Sequence, residues 1–419
     1  MSAAELDRLL GEKALAARPG RMRALGVGLA FLGAGIFIAA LFGGNADRAW
    51  HAYHINFVFF TAFAQASVVF AAIQKVTKGR WAGVIIRFSE AAVAFLPVSL
   101  VLYVVLFFAR EYVFTWIHEP RADLGPWLTV PWVFGRDALI LAFLTWLSIR
   151  FVRADLRPDL LGLRDAAAPG QQRWYDRVLA GWSSEPDSVA RNQRRLEGLA
   201  PGIIVAYAFG YSIIGLDLVM SLSPHWYSNL YPAFFFMGAF LTALTGLALL
   251  MLYWRRHLGL ETLVSRKQLH DLGKLCFGFT VFWAYLMFAQ FLVIWYGNLP
   301  EETWFVFYRL WGAWRPIGAL VFALVFVVPF VGLLGKKPKT IPFTLGLFTT
   351  ISVTGMWLEK YLLITPSVNH GAGPAIGLVE VGVTAGFLGL FLVAYAWFAG
   401  TFPMVSPRLA RLALTGERH

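Results

Sequence analysis

The sequence predicts an all-α, polytopic integral membrane protein, and two observations support this prediction. Ten apolar stretches of about 20 residues each take up most of the chain, and about 20 residues at 1.5 Å rise are needed to cross roughly 30 Å of hydrocarbon. The composition agrees, because 58% of the 419 residues are hydrophobic and only 14% are charged. An unpaired peptide group inside lipid costs several kcal/mol, so each stretch is expected to form a helix rather than an open sheet.

The ten predicted transmembrane helices, numbered helix 1 to helix 10, follow one another along the chain. They run approximately over residues 22–43, 55–74, 82–108, 131–152, 202–222, 230–254, 272–296, 314–335, 341–363 and 376–402. The longest polar segment, residues 150–200, is interpreted as a cytoplasmic loop with one short surface helix. The first 20 residues lack the apolar core of a cleavable signal, so helix 1 is expected to be retained.

Positive charge is distributed unevenly between the two sides of these helices. With a cytoplasmic N-terminus, the inner segments hold 28 of the 36 Lys and Arg residues. The positive-inside rule then predicts that both termini lie in the cytoplasm. The net charge of +12 lies beside helix ends, where it faces anionic lipid, and it is not interpreted as a nucleic-acid-binding surface.

Cysteine and histidine limit the cofactor chemistry expected of this chain. Cys276 is the single cysteine, at the start of helix 7, which excludes a disulfide and a thiolate-ligated iron–sulfur cluster. The eight histidines are all interpreted as loop or helix-end residues; they are His51, His54, His118, His225, His257, His270, His370 and His419. A b-type haem needs two histidines facing each other inside a bundle, so no haem and no metal site is expected here.

The segments that open helices 2 and 6 resemble each other, which indicates an internal repeat. His51-Ala-Tyr53-His-Ile-Asn56 is followed by two phenylalanines and His225-Trp-Tyr227-Ser-Asn229 by three. The pattern predicts two parallel four-helix bundles, helices 2–5 (residues 55–222) and helices 6–9 (residues 230–363), flanked by helices 1 and 10. The competing explanation is that Tyr, Trp and His favour the membrane interface.

Arg87 and Glu90 form the deepest charged pair that the sequence predicts within a membrane helix. They lie about 9 and 13 Å inward from Trp81 at helical rise, and their i,i+3 spacing places them on one face of helix 3. Ionisable side chains are costly at this depth, so each needs a partner or a role. Two interpretations remain open: an ion pair that locks helix 3 into its bundle, or a cytoplasmic proton half-channel with Glu90 as the carrier.

A second polar group is predicted near the outer end of helix 5. Asp217 lies there, with Tyr207 and Tyr211 on the turns below it and His225 in the loop that follows. A carboxylate with phenols at helical spacing can continue a proton path outward. The alternative is a helix-terminal Asp that binds its own loop.

Arg136 and Asp137 lie one turn inside the outer boundary of helix 4. Together with His118 they are candidates for a quinol-type pocket. The alternative, in which both side chains extend to the surface, is favoured by the length of the arginine side chain and the proximity of the boundary.

Helices 7 to 9 carry a further set of candidate proton-path residues. They are Asp271 and Lys274 at the inner end of helix 7, Tyr285 and Gln290 along it, Thr350 on helix 9, and Glu359 near the outer end of helix 9. Hydroxyl groups such as that of Thr350 either relay protons or bond back to their own helix. Arg315 is expected to pair with Glu359, and Lys360 and Glu380 are expected to be solvated.

Two motifs give the chain a resemblance to a known family. One runs from Gly215 through Asp217 and Ser221 to His225-Trp226-Tyr227-Ser228; the other runs from His270-Asp271 through Gln290 and Trp295 to Glu301-Glu302-Thr303. With the two-bundle plan, they resemble the polysulfide-reductase (NrfD-like) superfamily of membrane subunits, with most likeness to the F subunit of bacterial alternative complex III. The resemblance covers helices 1 to 10.

The resemblance implies a haem-free, multi-pass subunit of a bacterial inner-membrane quinol:electron-acceptor oxidoreductase that serves in electron transport and conducts protons. It implies that this chain binds no cofactor of its own apart from a possible quinol, and is not catalytic alone. The partners implied are an NrfD-like sister subunit with the quinol site, an iron–sulfur subunit, multihaem cytochrome c subunits and lipids. On the matched motifs lie Asp217, His225, Asp271, Lys274, Trp295 and Glu301.

Three other functions remain open from the sequence. The chain could bind quinol itself through His118, Asp137 or Asp217, or it could be a redox-inactive scaffold whose charges are structural pairs. A secondary transporter is disfavoured, because the repeats are parallel and no helix shows the paired Gly/Pro break expected at a substrate site.

Overall fold

The computed structural model describes residues 3–119, 125–369 and 373–415, and within these ranges the chain consists of helices and turns with no strand. The α-helices are α1 (Ala3–Leu15), α2 (Gly20–Phe42), α3 (Ala46–Val76), α4 (Ile86–Glu90), α5 (Leu96–Phe108), α6 (Arg110–Val113), α7 (Val130–Leu163), α8 (Pro169–Leu179), α9 (Pro186–Leu218), α10 (Tyr231–His257), α11 (Arg266–Gly297), α12 (Pro300–Leu310), α13 (Arg315–Phe322), α14 (Val328–Gly332), α15 (Lys336–Thr340), α16 (Pro342–Val368), α17 (Leu378–Thr401) and α18 (Pro407–Thr415). The predicted all-α class is confirmed.

Eight helices of the described chain are long and apolar enough to cross a membrane. Predicted helices 4 and 9 correspond to α7 and α16, which are not among those eight. Both are long enough to span, at 34 and 27 residues, and both carry charged or hydroxyl side chains along their length. The protein is therefore a membrane protein with several spanning helices, and the number ten stays a prediction.

Three helix boundaries differ from the prediction. The segment 150–200 is mostly helical rather than a loop, because α7 continues to Leu163, α8 follows, and α9 already begins at Pro186. Predicted helix 2 begins nine residues early, at Ala46. Predicted helix 3 begins at Ile86 and contains a 3-10 segment, Ala91–Phe95, between α4 and α5.

Helix α3 forms the centre of the protein. It packs against α5, α9, α10, α16 and α17, and its most apolar 18-residue window is completely buried. A helix that is apolar all round is expected in such a central position. Its buried polar side chains, including those of Asn56 and Gln65, therefore have protein rather than lipid as their surroundings.

The flanking helices α2 and α17 pack against each other through glycines. A Cβ atom added to Gly33 would lie 2.2 Å from Cα of Gly386, and one added to Gly26 would lie 3.0 Å from the carbonyl oxygen of Gly389. Small residues allow helix backbones to approach closely in lipid, where the hydrophobic effect does not drive association. The glycines thus hold α2 and α17 together.

The two faces of the helix assembly can be told apart. Helices α1 and α18 contact each other, Nζ of Lys13 donates to the carbonyl of Leu258 beyond the end of α10 at 2.6 Å, and Gln171 of α8 donates to the carbonyl of Gly400 at 3.1 Å. We call this face the terminal side and the other face the opposite side.

Helices α5, α7 and α9 surround one flank of α3, with contacts α3–α5, α5–α7, α7–α9 and α3–α9. Helix α10 packs against α11 and α16, α11 also contacts α16, and α13 joins this group through α16. The two groups meet where α10 packs against α3 and α9. We call them the first and the second helix group; their equivalence as parallel repeats stays a prediction.

Candidate functional site

A buried network of six charged residues lies at the terminal side of the first helix group. We call it the terminal-side cluster; its members are Lys75, Arg87, Glu90, Asp155, Asp159 and Arg408. The guanidinium group of Arg87 is at its centre: Nη1 pairs with Glu90 and lies 3.0 Å from Oδ2 of Asp155, and Nη2 lies 2.6 Å from Oδ2 of Asp159. The side chains of Arg87, Glu90 and Asp155 are fully buried.

Two more cations complete the charge balance of this cluster. Lys75, in the last turn of α3, pairs with Asp155, and Nη2 of Arg408 lies 3.2 Å from Oδ1 of Asp155. Three carboxylates thus face three cations, which offsets the cost of removing them from water. The carboxylate of Glu90 is only half used, because its Oε1 has no hydrogen-bond partner in the described chain.

The sequence predicts the Arg87–Glu90 pair but not the rest of this cluster. Asp155 and Asp159 were assigned to a loop, whereas both lie on the buried face of α7. Asp159 follows Asp155 by 4 residues, Asp155 follows Ser148 by 7, and Ser148 follows Asp137 by 11. These spacings place the four side chains on one face of a helix, and they were the signal in the sequence that α7 continues. Arg408 lies in α18, far along the chain, and no local pattern indicates its contact.

A second buried charged group lies at the opposite side of the same helices. We call it the opposite-side cluster; its members are Arg136, Asp137 and Asp217. Arg136 binds Asp217 with two hydrogen bonds, from Nε to Oδ2 at 2.6 Å and from Nη2 to Oδ1 at 2.7 Å. Its guanidinium carbon also lies 3.8 Å from the ring centre of Trp127.

Asp137 adds a second carboxyl group to this cluster. Its side chain is fully buried against that of Asp217, and neither of its oxygens accepts a hydrogen bond from a donor of the described chain. Two carboxylates in contact repel each other strongly, and a shared proton removes the repulsion. Two carboxyl groups beside the cation Arg136 make the cluster suited to hold one exchangeable proton.

Two expectations about this region are wrong. Asp137 does not extend to the surface, and the side chain of Arg136 is only 14% exposed, because Asp217 on the neighbouring helix α9 holds the arginine inward. His118 does not join them in a pocket. It is exposed, and its Nε2 lies 2.9 Å from the carbonyl of Glu111.

Buried polar groups occupy the interior between the two clusters. Nε2 of Gln65 on α3 donates to Oγ of Ser148 on α7 at 3.0 Å. Nearer the opposite side, the hydroxyl of Tyr211 donates to the carbonyl of Thr61 at 3.1 Å, and that of Tyr207 donates to the carbonyl of Phe236 at 2.6 Å. Both tyrosines are buried, with ring centres 4.8 Å apart.

The histidine prediction needs correction. His51 and His54 lie within α3 because that helix begins at Ala46, and both are buried. Nε2 of His54 lies 2.7 Å from the carbonyl of Leu218, and Nε2 of His51 lies 3.0 Å from that of Tyr112. His225 is exposed. His370 and His419 lie outside the described residues.

In the second helix group, Glu359 has different partners from those expected. Nζ of Lys360 lies 2.6 Å from its Oε2, and Nε1 of Trp283 donates to its Oε1 at 3.2 Å. Arg315 forms no ion pair with it. The expected solvation of Lys360 and Glu380 is wrong: both are buried, since Glu380 is held by Arg48 through contacts of 2.8 and 3.0 Å.

The remaining candidates of helices 7 to 9 are spread over several environments. Asp271 and Lys274 form the expected i,i+3 ion pair at 2.8 Å, with the lysine more than half exposed. Tyr285 is 61% exposed on the outer face of α11. Thr350 is also exposed and bonds back to the carbonyl of Gly346 at 2.8 Å. Neither of these two side chains is directed into the interior that Glu359 occupies.

Two large cavities open near the opposite side. One, of about 600 Å³, lies between α11, α12, α13 and α16 and is lined by aromatic and aliphatic side chains together with Gln290, Arg309, Arg315 and Glu359. We call it the second-group cavity. The other, of about 630 Å³, is more polar and brings together His51, His118 and His225. The sequence does not predict a role for Arg309, because it lies between predicted helices 7 and 8; its i,i+4 spacing to Phe305 was the available signal of a helix there.

No group of three or more His, Cys, Asp or Glu side chains in the described ranges is arranged to hold a metal ion. Cys276 is buried, as expected for a structural thiol. In comparisons with known proteins, the chain matches no protein-family model and no curated protein. The two buried charged clusters of the first helix group therefore provide the evidence for function.

Proposed function

We propose that this chain is a haem-free membrane subunit of a quinol:electron-acceptor oxidoreductase, and that its first helix group transfers protons between the two sides of the membrane. One observation carries the proposal: a single bundle holds a buried acidic cluster at each end. Asp155 and Asp137 lie on the same helix, 18 residues and so roughly 27 Å apart along its axis. Carboxylates at such depth are typical of proton relays.

The terminal-side cluster supplies the group that takes up a proton. Glu90 has one oxygen paired with Arg87 and one oxygen without a partner. When Glu90 is protonated, Arg87 keeps Asp155 and Asp159 as counterions, so the cluster loses one carboxylate charge without leaving the arginine unpaired. This is the requirement for a carrier that changes protonation in a buried site.

The opposite-side cluster supplies the group that receives the proton. Asp137 and Asp217 share the cation Arg136, and a carboxyl pair of this kind titrates as a unit and can hold one shared proton. Between the clusters, Gln65 and Ser148 form the buried polar contact nearest the middle of α7. Water molecules are required on both sides of it, because spans of 7 and 11 residues separate Ser148 from the two acidic clusters.

The test is the substitution Glu90→Gln in the native complex, with proton translocation per electron and quinol oxidation measured in parallel in sealed vesicles. We expect the proton-to-electron ratio to fall while quinol oxidation continues, since glutamine keeps the shape and the contact with Arg87 but cannot carry a proton. The matched control is Glu197→Gln, which removes an exposed carboxylate of the terminal side.

An unchanged proton-to-electron ratio in Glu90→Gln would favour the competing function of a redox-inactive scaffold. A specific observation supports that function: three cations balance the charge of the three carboxylates in the terminal-side cluster, as in a purely structural network. If the chain copurifies without multihaem cytochrome c and iron–sulfur subunits, the assignment to a quinol-oxidising complex is wrong.

A further inference from the structure

The second-group cavity contains a buried cation, Arg309, that has no carboxylate partner among the described residues. Arg309 is 4% exposed, and its partners are all neutral: Nη1 donates to the carbonyl of Phe305 at 3.1 Å, and Nη2 donates to the carbonyl of Leu363 at 2.8 Å and to Oγ of Ser367 at 2.5 Å. Its Nε has no acceptor in the described chain. A buried charge is costly unless it is paired.

Glu359 does not serve as a counterion for Arg309. Glu359 lines the same cavity, but its two oxygens are taken by Lys360 and Trp283, so its charge is already balanced. Arg315 adds a second cation to the lining and likewise forms no ion pair within the described ranges. The cavity wall therefore carries two positive charges that no carboxylate of the described residues pairs with.

The rest of the cavity has the opposite character. Its wall is largely apolar, with Phe234, Met287, Phe291, Phe322 and Leu362 among the lining side chains. Arg315 is the first residue of α13, so the positive end of a helix dipole adds to the two arginines at the polar part of the wall. An anionic group attached to hydrocarbon chains matches both parts of this surface.

We propose that the second-group cavity binds one anionic glycerophospholipid, with its phosphate between Arg309 and Arg315 and its acyl chains along the apolar wall. A neutral quinone would fill the volume without compensating the arginines, and a free phosphate would leave the apolar wall uncovered. The site lies in the second helix group, so it does not depend on the proposed proton path.

The test is binding of defined lipids to the purified full chain in detergent, measured by native mass spectrometry and by thermal unfolding. The probes are phosphatidylglycerol, phosphatidylcholine with the same acyl chains, glycerol 3-phosphate and decylubiquinone. We expect phosphatidylglycerol to bind most tightly. Loss of one charge-assisted hydrogen bond is worth about 1.5–3 kcal/mol, so Arg315→Gln and Arg309→Gln should each weaken its binding roughly tenfold or more.

Two further variants keep the test decisive. Arg309→Gln loses the contacts to Leu363 and Ser367 and can be destabilised by that loss, whereas Arg315 is exposed, so Arg315→Gln should fold. Arg309→Lys keeps the positive charge and should retain most of the binding. The matched control is Arg110→Gln, because Arg110 lies over the ring of Phe107, as Arg309 lies over that of Phe305, but already has Glu111 as a partner at 3.1 Å.

Several results would overturn the proposal. Equal binding of phosphatidylglycerol and phosphatidylcholine would show that the arginines do not select an anion. Glycerol 3-phosphate competing at the same concentration as the lipid would identify a soluble anion as the ligand. Decylubiquinone displacing phosphatidylglycerol from the wild type while binding equally well to Arg315→Gln would identify a neutral ring as the preferred occupant.

Discussion

Two buried arginines of this protein, Arg87 and Arg309, differ in the charge of the groups that surround them. Arg87 is surrounded by Glu90, Asp155 and Asp159, whereas the partners of Arg309 among the described residues are neutral: two carbonyls, a hydroxyl and the ring of Phe305. A guanidinium group remains charged at any physiological pH. The contrast therefore separates a cluster that the chain neutralises by itself from a site whose neutralisation requires a ligand.

The two carboxyl groups of the opposite-side cluster should respond differently to neutralisation. Asp217→Asn removes the two hydrogen bonds of the carboxylate to Arg136, and we expect a loss of about 1–3 kcal/mol in stability. Asp137→Asn removes a repelling carboxylate and supplies an amide that can donate to Asp217, so we expect little change. The thermal unfolding midpoint of each variant in detergent is the measurement.

Equal destabilisation by the two substitutions would contradict a shared-proton pair, because it would mean that Asp137 makes contacts as favourable as those of Asp217. Asp47→Asn, which neutralises a carboxylate at the start of α3 on the same side, is the control for the general effect of removing negative charge.

At the scale of elements, the acidic residues of both clusters include a set that lies along one buried face of α7, part of which the sequence predicts to be a loop. Asp137, Ser148, Asp155 and Asp159 are all buried on this one helix, and their spacing corresponds to a single inward face. The helix can carry them because α3, α5 and α9 cover that face. One rigid element thus fixes the positions of both acidic clusters.

The packing of α2 on α17 gives a prediction for helix association. Gly386→Val should destabilise the protein by about 1–3 kcal/mol or more, because the added carbons would meet the backbone of Gly33. Gly28→Val is the matched control, since a Cβ there has nothing within 4 Å. The readout is again the thermal midpoint in detergent.

If the thermal unfolding midpoint fell equally in Gly386→Val and Gly28→Val, helix propensity and not interhelical contact would be the cause of the destabilisation. A fall confined to Gly386→Val would assign it to the close approach of the two backbones.

At the scale of the whole molecule, the positive-inside count predicts that the terminal side faces the cytoplasm. Cys276 is buried, and Cys276→Ser removes this cysteine. In that background, Glu197→Cys introduces one thiol on the terminal side, and Tyr227→Cys introduces one on the opposite side. We expect an impermeant maleimide added outside intact cells to label Tyr227→Cys but not Glu197→Cys. The reverse pattern would show that the orientation is inverted.

Composition and apolar run length were sufficient to predict a membrane protein built from helices, because the cost of unpaired peptide groups in lipid leaves few alternatives. The Arg87–Glu90 and Asp271–Lys274 pairs were also predictable, since an i,i+3 spacing brings two side chains together whatever surrounds the helix. The longest polar segment was less predictable: residues 150–200 were predicted to be a loop with one short helix, although they extend α7, form α8 and begin α9.

Tertiary structure decided the partners that buried charges find on other helices. Arg136 binds Asp217, Glu359 accepts a hydrogen bond from Trp283, and Arg408 reaches Asp155 across about 250 residues of chain. Such contacts depend on which helices are neighbours and how each is rotated, and a single helix's spacing carries no information on either. The sequence by itself therefore determined the helical membrane fold and the ion pairs within one helix, while helix packing determined the clusters and left Arg309 without a carboxylate partner among the described residues.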